Sequence, residues 1–388
     1  MTVMNNASSR LSPSRHLAAR AAGIALWTLA LQAGAQQCLN DTPPTSDGSP
    51  PTCTSYPSCP TGEGISGTVF EGGEVVHFDK QSVGPCDTAN AYSPTRCEDP
   101  RATCDVASHT CKVDFLGLMY KPGPTPPASG WPAVMLIPGS TACSTDYTKC
   151  VYQPERFCGI KSRLLSHGYV VFEPLPRGYG VKPTLNSTGI YVSDLSAKQV
   201  ARNEACAMNY PDYPGAACSD FDLKDEGHQD MVAAGQFLKN RSFVDPAKVA
   251  VIGHSLGAIR TMALNEIFFG QRAVVAIAPG SESWCLNNDV SNEALHVQLE
   301  DEAGNGRVPL YVLQPQNDVN ISPTTELSYR AGRTKRQFQA AVFPKVRDTS
   351  GVPFTFGDWA HSCFVTDDDD LDRWFPTALD FIQRYGVK

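Results

Sequence analysis

The sequence predicts an α/β protein, a mostly parallel sheet flanked by helices on both faces, and three observations predict it. Short runs of Val, Ile, Leu and Ala recur along the chain, each long enough for a strand and apolar throughout. Segments with helical spacing lie between them, and that alternation is the signature of a parallel sheet covered on both faces. The N-terminal third differs in kind: it is rich in Cys, Pro, Ser and Thr and reads as a set of disulfide-clamped additions.

The chain opens with a basic stretch, Arg10, Arg15 and Arg20, with no acid before Asp41. The apolar run "AAGIALWTLALQAGA" (21–35) follows and ends in the small residues Ala33-Gly34-Ala35. This pattern predicts a secretory signal peptide over residues 1–35, cut after Ala35. An uncleaved anchor is the competing reading, but the run is shorter than the ~20 residues a spanning helix needs. Gln37 before Cys38 argues against lipid attachment there. The expected location is therefore secreted or periplasmic, with no stable membrane insertion.

The formal charge of −8 and the lack of any Lys/Arg cluster exclude nucleic acid and anionic membrane as natural partners. All 14 Cys follow the signal segment, which predicts disulfides formed in an oxidising compartment. No C-x2-C pair occurs, so no metal is expected, and no cofactor motif is visible. A monomer is expected.

Residues 36–69 read as a Cys- and Pro-rich collar, and 70–388 as one domain. "EVVHF" (74–78) and "VDFLGLMYKP" (113–122) are predicted strands around a Cys-rich insertion at about 82–112. "PAVMLIPG" (132–139) is a buried strand, followed by a helix ending near "RLLSHG" and the strand "YVVFEPLP" (169–176). Residues 181–227 have no clear period and read as an insertion at the sheet rim. Met231, Ala234, Phe237 and Leu238 mark one face of a helix. "KVAVIG", "AVVAIAP" (273–279), "PLYVLQP" (309–315) and "FQAAVFP" (338–344) are further strands. "LDRWFPTALDFIQRYG" is a closing helix, with Pro376 either kinking it or marking its start. "TDDDDLD" (366–372) reads as acids offsetting the dipole of that helix rather than as a calcium site.

In open parallel sheets chemistry collects at the carboxyl ends of strands. "GHSLG" (253–257) lies at such an end, between "VAVI" and a helix. A strand-turn-helix elbow presents its central hydroxyl at the rim, and the glycines remove side chains that would collide there. Ser255 is the candidate nucleophile, and the N-terminus of the next helix favours developing negative charge. The bland alternative is a tight turn with an inert serine.

A serine hydroxyl needs a base. His77, His109, His167, His228 and His254 precede Ser255 in the chain. In the order nucleophile, acid, base that accompanies this elbow, only His296 and His361 follow it. His361 lies in "FGDWAHSCF", read as a loop between the last strand and the last helix, and is the better candidate. Asp318 directly follows "PLYVLQPQN" and is the candidate acid, against Asp289, Asp301, Asp348 and Asp358. The backbone N–H of Leu256 is one expected oxyanion donor. The turn after "AVMLIPG" supplies the other, from Ser140 or, alternatively, Thr141, which would also line the substrate site. Trp284, in "APGSESWC", is placed either to wall an acyl pocket or simply to pack.

These residues, "MLIPGST", "RGYG" (177–180), "GHSLG", "QND" and "AHS" in this order, resemble the α/β-hydrolase superfamily, in particular dienelactone-hydrolase-like secreted esterases. "PGST" and "HSC" are also similar to stretches of bacterial polyester-degrading cutinases. The resemblance covers roughly residues 70–388. It implies an α/β-hydrolase fold and cleavage of a small or polymeric carboxylic ester through an acyl-enzyme. It also implies an oxyanion N–H at Ser140 and a disulfide at Cys363. Pro138 stands where a His is common, and Pro315 where those cutinases carry the partner cysteine, so Cys363 must pair elsewhere. Dienelactone hydrolases themselves use a Cys nucleophile, so that name implies fold and not substrate. An amide-cleaving peptidase on the same fold and a non-catalytic Cys-rich binding protein are the competing functions.

Overall fold

The structure, a computed structural model, describes residues 69–70, 73–85, 103–105, 110–139, 150–152, 157–175, 179–181, 190–191, 226–267, 269–280, 290–334, 337–348, 350–354 and 357–388. The expected signal peptide, nearly all of the collar and most of the rim insertion lie outside these residues.

The strands are β1 (Val69–Phe70), β2 (Gly73–Pro85), β3 (Thr103–Asp105), β4 (Thr110–Tyr120), β5 (Trp131–Ile137), β6 (Cys150–Tyr152), β7 (Val170–Pro174), β8 (Tyr179–Val181), β9 (Ile190–Tyr191), β10 (Val244–His254), β11 (Ala273–Ile277), β12 (Leu310–Pro315) and β13 (Phe338–Phe343). The helices are α1 (Cys158–Ser166), α2 (Glu226–Lys239), α3 (Leu256–Glu266), α4 (Val290–Asn305), α5 (Ser322–Thr334), α6 (Gly357–Thr366) and α7 (Asp368–Arg384). The main sheet has the order β1-β2-β4-β7-β5-β10-β11-β12-β13, with β3 pairing β4 beside it. From β7 to β13 every neighbouring pair is parallel, whereas β1, β2, β3 and β4 join antiparallel. A small second sheet links β6, β8 and β9.

The central strands are apolar on both sides because both sides are covered. Val134, Leu136, Ala250, Ile252, Val275, Ile277, Tyr311 and Leu313 point to one face, where they pack with residues of α1, α6 and α7. Their alternating neighbours Ala133, Met135, Ile137, Val249, Val251, Val274, Ala276 and Val312 point to the other, with α2, α3, α4 and α5. Register aligns the carboxyl ends: Gly253 pairs Ile137, His254 pairs Ile277, and Ile277 pairs Leu313. The turns after β5, β10, β11 and β12 therefore share one edge of the sheet.

The structure differs from the sequence reading in three places. β2 and β4 both run into the stretch read as a Cys-rich insertion, and Cys104 and Cys111 stand opposite each other on β3 and β4. His361 lies on the helix α6 rather than in a loop. The spacing of Ala360, Cys363 and Phe364, all buried, is the helical signal that Gly357 and the short length obscured. His296 lies on α4, between two strands. Finally, α7 begins before Pro376 and continues through it. Pro376 forgoes the bond to the carbonyl of Asp372, and burial of Trp374, Phe375, Ala378, Phe381 and Ile382 holds the helix regardless. Its start is set by Asp367, whose side chain accepts the Asp369 N–H at 2.8 Å.

Candidate active site

Ser255 sits between β10 and α3 with φ 56 and ψ −123. A non-glycine residue in this region carries strain on the order of 1–3 kcal/mol, which persists only when the surroundings impose it. Here they do. The Ser255 N–H donates to Ile277 O at 2.9 Å, tying it to β11, and its carbonyl accepts from Ala258 and Ile259 at 2.9 and 3.2 Å. The two motif glycines let α3 close on the strands. A Cβ at Gly253 would lie 2.1 Å from Thr261 Oγ1, and one at Gly257 would lie 2.2 Å from Ile137 O. Ala278, which follows β11, also has positive φ and donates its N–H to Leu313 O at 2.8 Å.

Leu256 is the first residue of α3 and is buried. N–H groups in the first turn of a helix have no intrahelical acceptor, so its N–H is available at the elbow. Ser140, Thr141 and Trp284 lie outside the described residues, as does Asp289.

Asp318 follows β12 and is 4 % exposed. Its Oδ1 accepts the Val319 N–H at 2.7 Å and stands 2.9 Å from His361 Nδ1. A carboxylate only accepts, so Nδ1 carries the proton and the neutral ring keeps a lone pair on Nε2. The turn bearing Asp318 is held by two buried amides that the sequence reading missed. Gln314 Nε2 donates to Asn320 O at 2.7 Å and approaches Asp318 Oδ2 at 3.4 Å, while its Oε1 accepts the Thr324 N–H at 3.0 Å. Asn317 Nδ2 donates to Val346 O and Phe354 O at 3.1 and 3.0 Å, and its Oδ1 accepts the Val346 N–H at 2.9 Å. A signal existed: Gln314 is a polar residue within a strand of otherwise apolar sequence, and Asn317 follows that strand.

His361 is itself 7 % exposed. Its ring lies 4.5 Å from that of His254, the residue adjoining Ser255, and its backbone carbonyl is 3.1 Å from His254 Nε2. The rival acids that can be described are engaged elsewhere: Asp301 pairs Arg330 at 2.7 Å, and Asp348 accepts the N–H groups of Ser350 and Val352. Asp358 lies on α6 itself, and its side chain is outside the described set.

Two cysteines flank this arrangement, Cys363 on α6 and Cys158 at the start of α1, and both are disulfide-bonded. The acidic run caps α7 and binds α1 to it: Arg163 reaches Asp368 at 2.7 Å and Asp372 at 2.5 Å. Among the described residues no cluster of three or more His, Cys, Asp or Glu is arranged to hold a metal, and no helix is long and apolar enough to cross a membrane.

No protein-family model matches the chain, and no curated protein matches it in sequence. Solved structures do. An acylaminoacyl peptidase in complex with Z-Gly-Gly-Phe-chloromethyl ketone superposes with a TM-score of 0.50 at 13% identity, over 81% of this chain and 42% of that one. The uncomplexed acylaminoacyl peptidase of Pyrococcus horikoshii gives 0.49 at 14% identity, over 81% and 42%. An esterase of Pyrococcus furiosus gives 0.43 at 15% identity, over 70% and 86%. The chain spans 42% of the length of the peptidases it matches. The likeness establishes the fold, which is that of the α/β hydrolases.

Proposed function

We propose, starting from this α/β-hydrolase fold, that the protein is a secreted serine hydrolase that cleaves carboxylic esters through an acyl-enzyme. The observation that carries the reading is the 2.9 Å contact between His361 Nδ1 and Asp318 Oδ1, on the sheet edge that also bears Ser255 in a strained turn. In this reading Ser255 Oγ attacks the ester carbonyl carbon while His361 Nε2 takes its proton. Asp318 holds the ring in the required tautomer and stabilises the imidazolium. The N–H groups of Leu256 and Ser140, with Thr141 as the alternative second donor, hold the oxyanion. Collapse expels the alcohol, which takes the proton from His361. Water then attacks the acyl-enzyme by the same route and releases the acid. Trp284 and Thr141 line the acyl site.

The test is hydrolysis of p-nitrophenyl butyrate by the mature chain and by Ser255→Ala. Wild-type turnover that is lost in the variant supports the assignment, and unchanged turnover in the variant overturns it. A panel of acyl lengths together with a polyester film defines the substrate class.

An amide as the scissile bond is the second reading, favoured by the similarity to the acylaminoacyl peptidases over 81% of this chain. Comparing turnover of an acyl-peptide anilide with that of the matched ester separates the two. Secretion with cleavage after Ala35, and a monomeric state, are part of the proposal. N-terminal sequencing of exported protein and size-exclusion chromatography test them.

A further inference from the structure

We propose that His254 is a positioning residue for His361, fixing the helix that carries the base against the strand that carries the nucleophile. The inference rests on the serine hydrolase reading above and adds a member to its site.

His254 is the last residue of β10 and is in register with Ile277 of β11, so its backbone belongs to the rigid centre of the sheet. His361, by contrast, stands on a short helix, α6, packed in the core layer that holds Ile252 and Phe157. His254 Nε2 lies 3.1 Å from the backbone oxygen of His361. A carbonyl only accepts, so Nε2 is the protonated nitrogen and donates. The bond goes to the main chain of His361 and therefore uses neither ring nitrogen of the base. Nδ1 stays on Asp318.

The rings add a second constraint. Their centroids are 4.5 Å apart at 38°, so the His254 ring covers one side of the His361 imidazole. Phe157 meets the His254 ring edge-on at 6.1 Å. On its other nitrogen the approach is also close: a Cβ placed at Gly139 would lie 3.4 Å from His254 Nδ1 and 2.9 Å from Ser255 Cβ. One buried imidazole, 7 % exposed, thus stands between the base helix and the turn after β5. Proton transfer from a serine demands sub-ångström placement of the acceptor, and a misplacement of about 1 Å costs about 100-fold. A donor anchored on the nucleophile's own strand supplies that placement.

Three variants of the mature chain test this: His254→Phe keeps a ring without the donor, His254→Gln keeps an N–H donor at the same reach, and His254→Ala keeps neither. The readouts are kcat and KM on p-nitrophenyl butyrate, thermal midpoint, and the low-field proton resonance of the His361–Asp318 bond. In His254→Phe, kcat falls about 10- to 100-fold with KM within about twofold, and the low-field resonance broadens or shifts. His254→Gln stays within about threefold of wild type in kcat and keeps the resonance. His254→Ala behaves as His254→Phe or worse. Wild-type kcat and resonance in His254→Phe overturn the proposal. So does a loss in His254→Gln as large as in His254→Phe at an unchanged thermal midpoint. Failure of the parent reading looks different: Ser255→Ala then matches wild type, while the resonance still reports on His254.

Discussion

Asp318 and His361 meet at 2.9 Å although they arrive on separate elements, one in the turn after β12 and the other on α6. Both are buried, at 4 % and 7 % exposure, so the pair is shielded from solvent exchange of partners. Asp318→Asn keeps the shape but removes the charge and can leave the ring in the wrong tautomer. The expected result is a fall in kcat of about 10³- to 10⁴-fold with KM little changed, measured on a chromogenic ester. Retained activity removes Asp318 from the catalytic assignment.

Gly257→Ala places a methyl group 2.2 Å from Ile137 O and 2.4 Å from Pro138 O, and both are backbone atoms that cannot swing aside. The helix α3 must then lift off β5. We expect a loss of about 1–3 kcal/mol in stability by thermal or denaturant unfolding. Slower labelling of Ser255 by a fluorophosphonate accompanies it. A variant as stable and as reactive as wild type contradicts the close packing at the elbow.

Asn317→Ala takes the side-chain partner from two buried backbone groups, the N–H of Val346 and the carbonyl of Phe354, while the Val346 carbonyl keeps the Phe354 N–H at 3.1 Å. Unsatisfied buried groups cost about 1–3 kcal/mol each before relaxation, so a net loss of about 2–4 kcal/mol is expected. Because Asn317 adjoins the acid, kcat falls as well, even well below the new unfolding temperature. Guanidinium unfolding and steady-state kinetics on the same preparation check both parts.

Asp370, near the start of α7, has its carboxyl pushed up from 3.8 to about 7. Burial is the main cause; Arg373 works against it, and the neighbouring Asp367 and Asp369 add to it. Between roughly pH 4 and pH 7 the folded protein holds a proton here that the unfolded chain has released, so stability falls as pH rises through that window. Asp370→Asn removes the ionisation. It is therefore expected to be more stable than wild type at pH 8, by on the order of 1 kcal/mol, and equal to it near pH 4. Thermal midpoints across that range decide the matter; a variant with the wild-type slope contradicts it.

The fold was legible because the parallel strands are buried on both faces, which leaves unbroken apolar runs such as Ala133–Ile137 and Ala273–Ile277 in the sequence. Half-exposed β13 was also readable, since an edge strand of this length keeps its β-branched and aromatic character. What the sequence blurred were the elements whose length or composition fights their structure. α6 is short, starts at a glycine and carries polar residues, so His361 read as a loop residue. α7 contains Pro376, and only tertiary burial of Trp374 and Phe381 explains why the helix passes through it. In the site, Ser255, Asp318 and His361 stood out because each has a chemical type and a place in chain order. His254, Gln314 and Asn317 did not, because a polar side chain in or beside an apolar strand does not by itself say which group it bonds.

The sheet separates two layers of core, and the two sides of the candidate reaction are rooted in different ones: α3 behind Ser255 in one, α6 under His361 in the other. Damage to either layer is therefore separable in its effect. A lineage that let the Trp374 layer drift would keep the strained serine turn and lose the base that acylation and deacylation both need, leaving an elbow that neither takes up nor releases acyl groups. The same seam offers an engineer two handles, one on the nucleophile turn and one on the base helix.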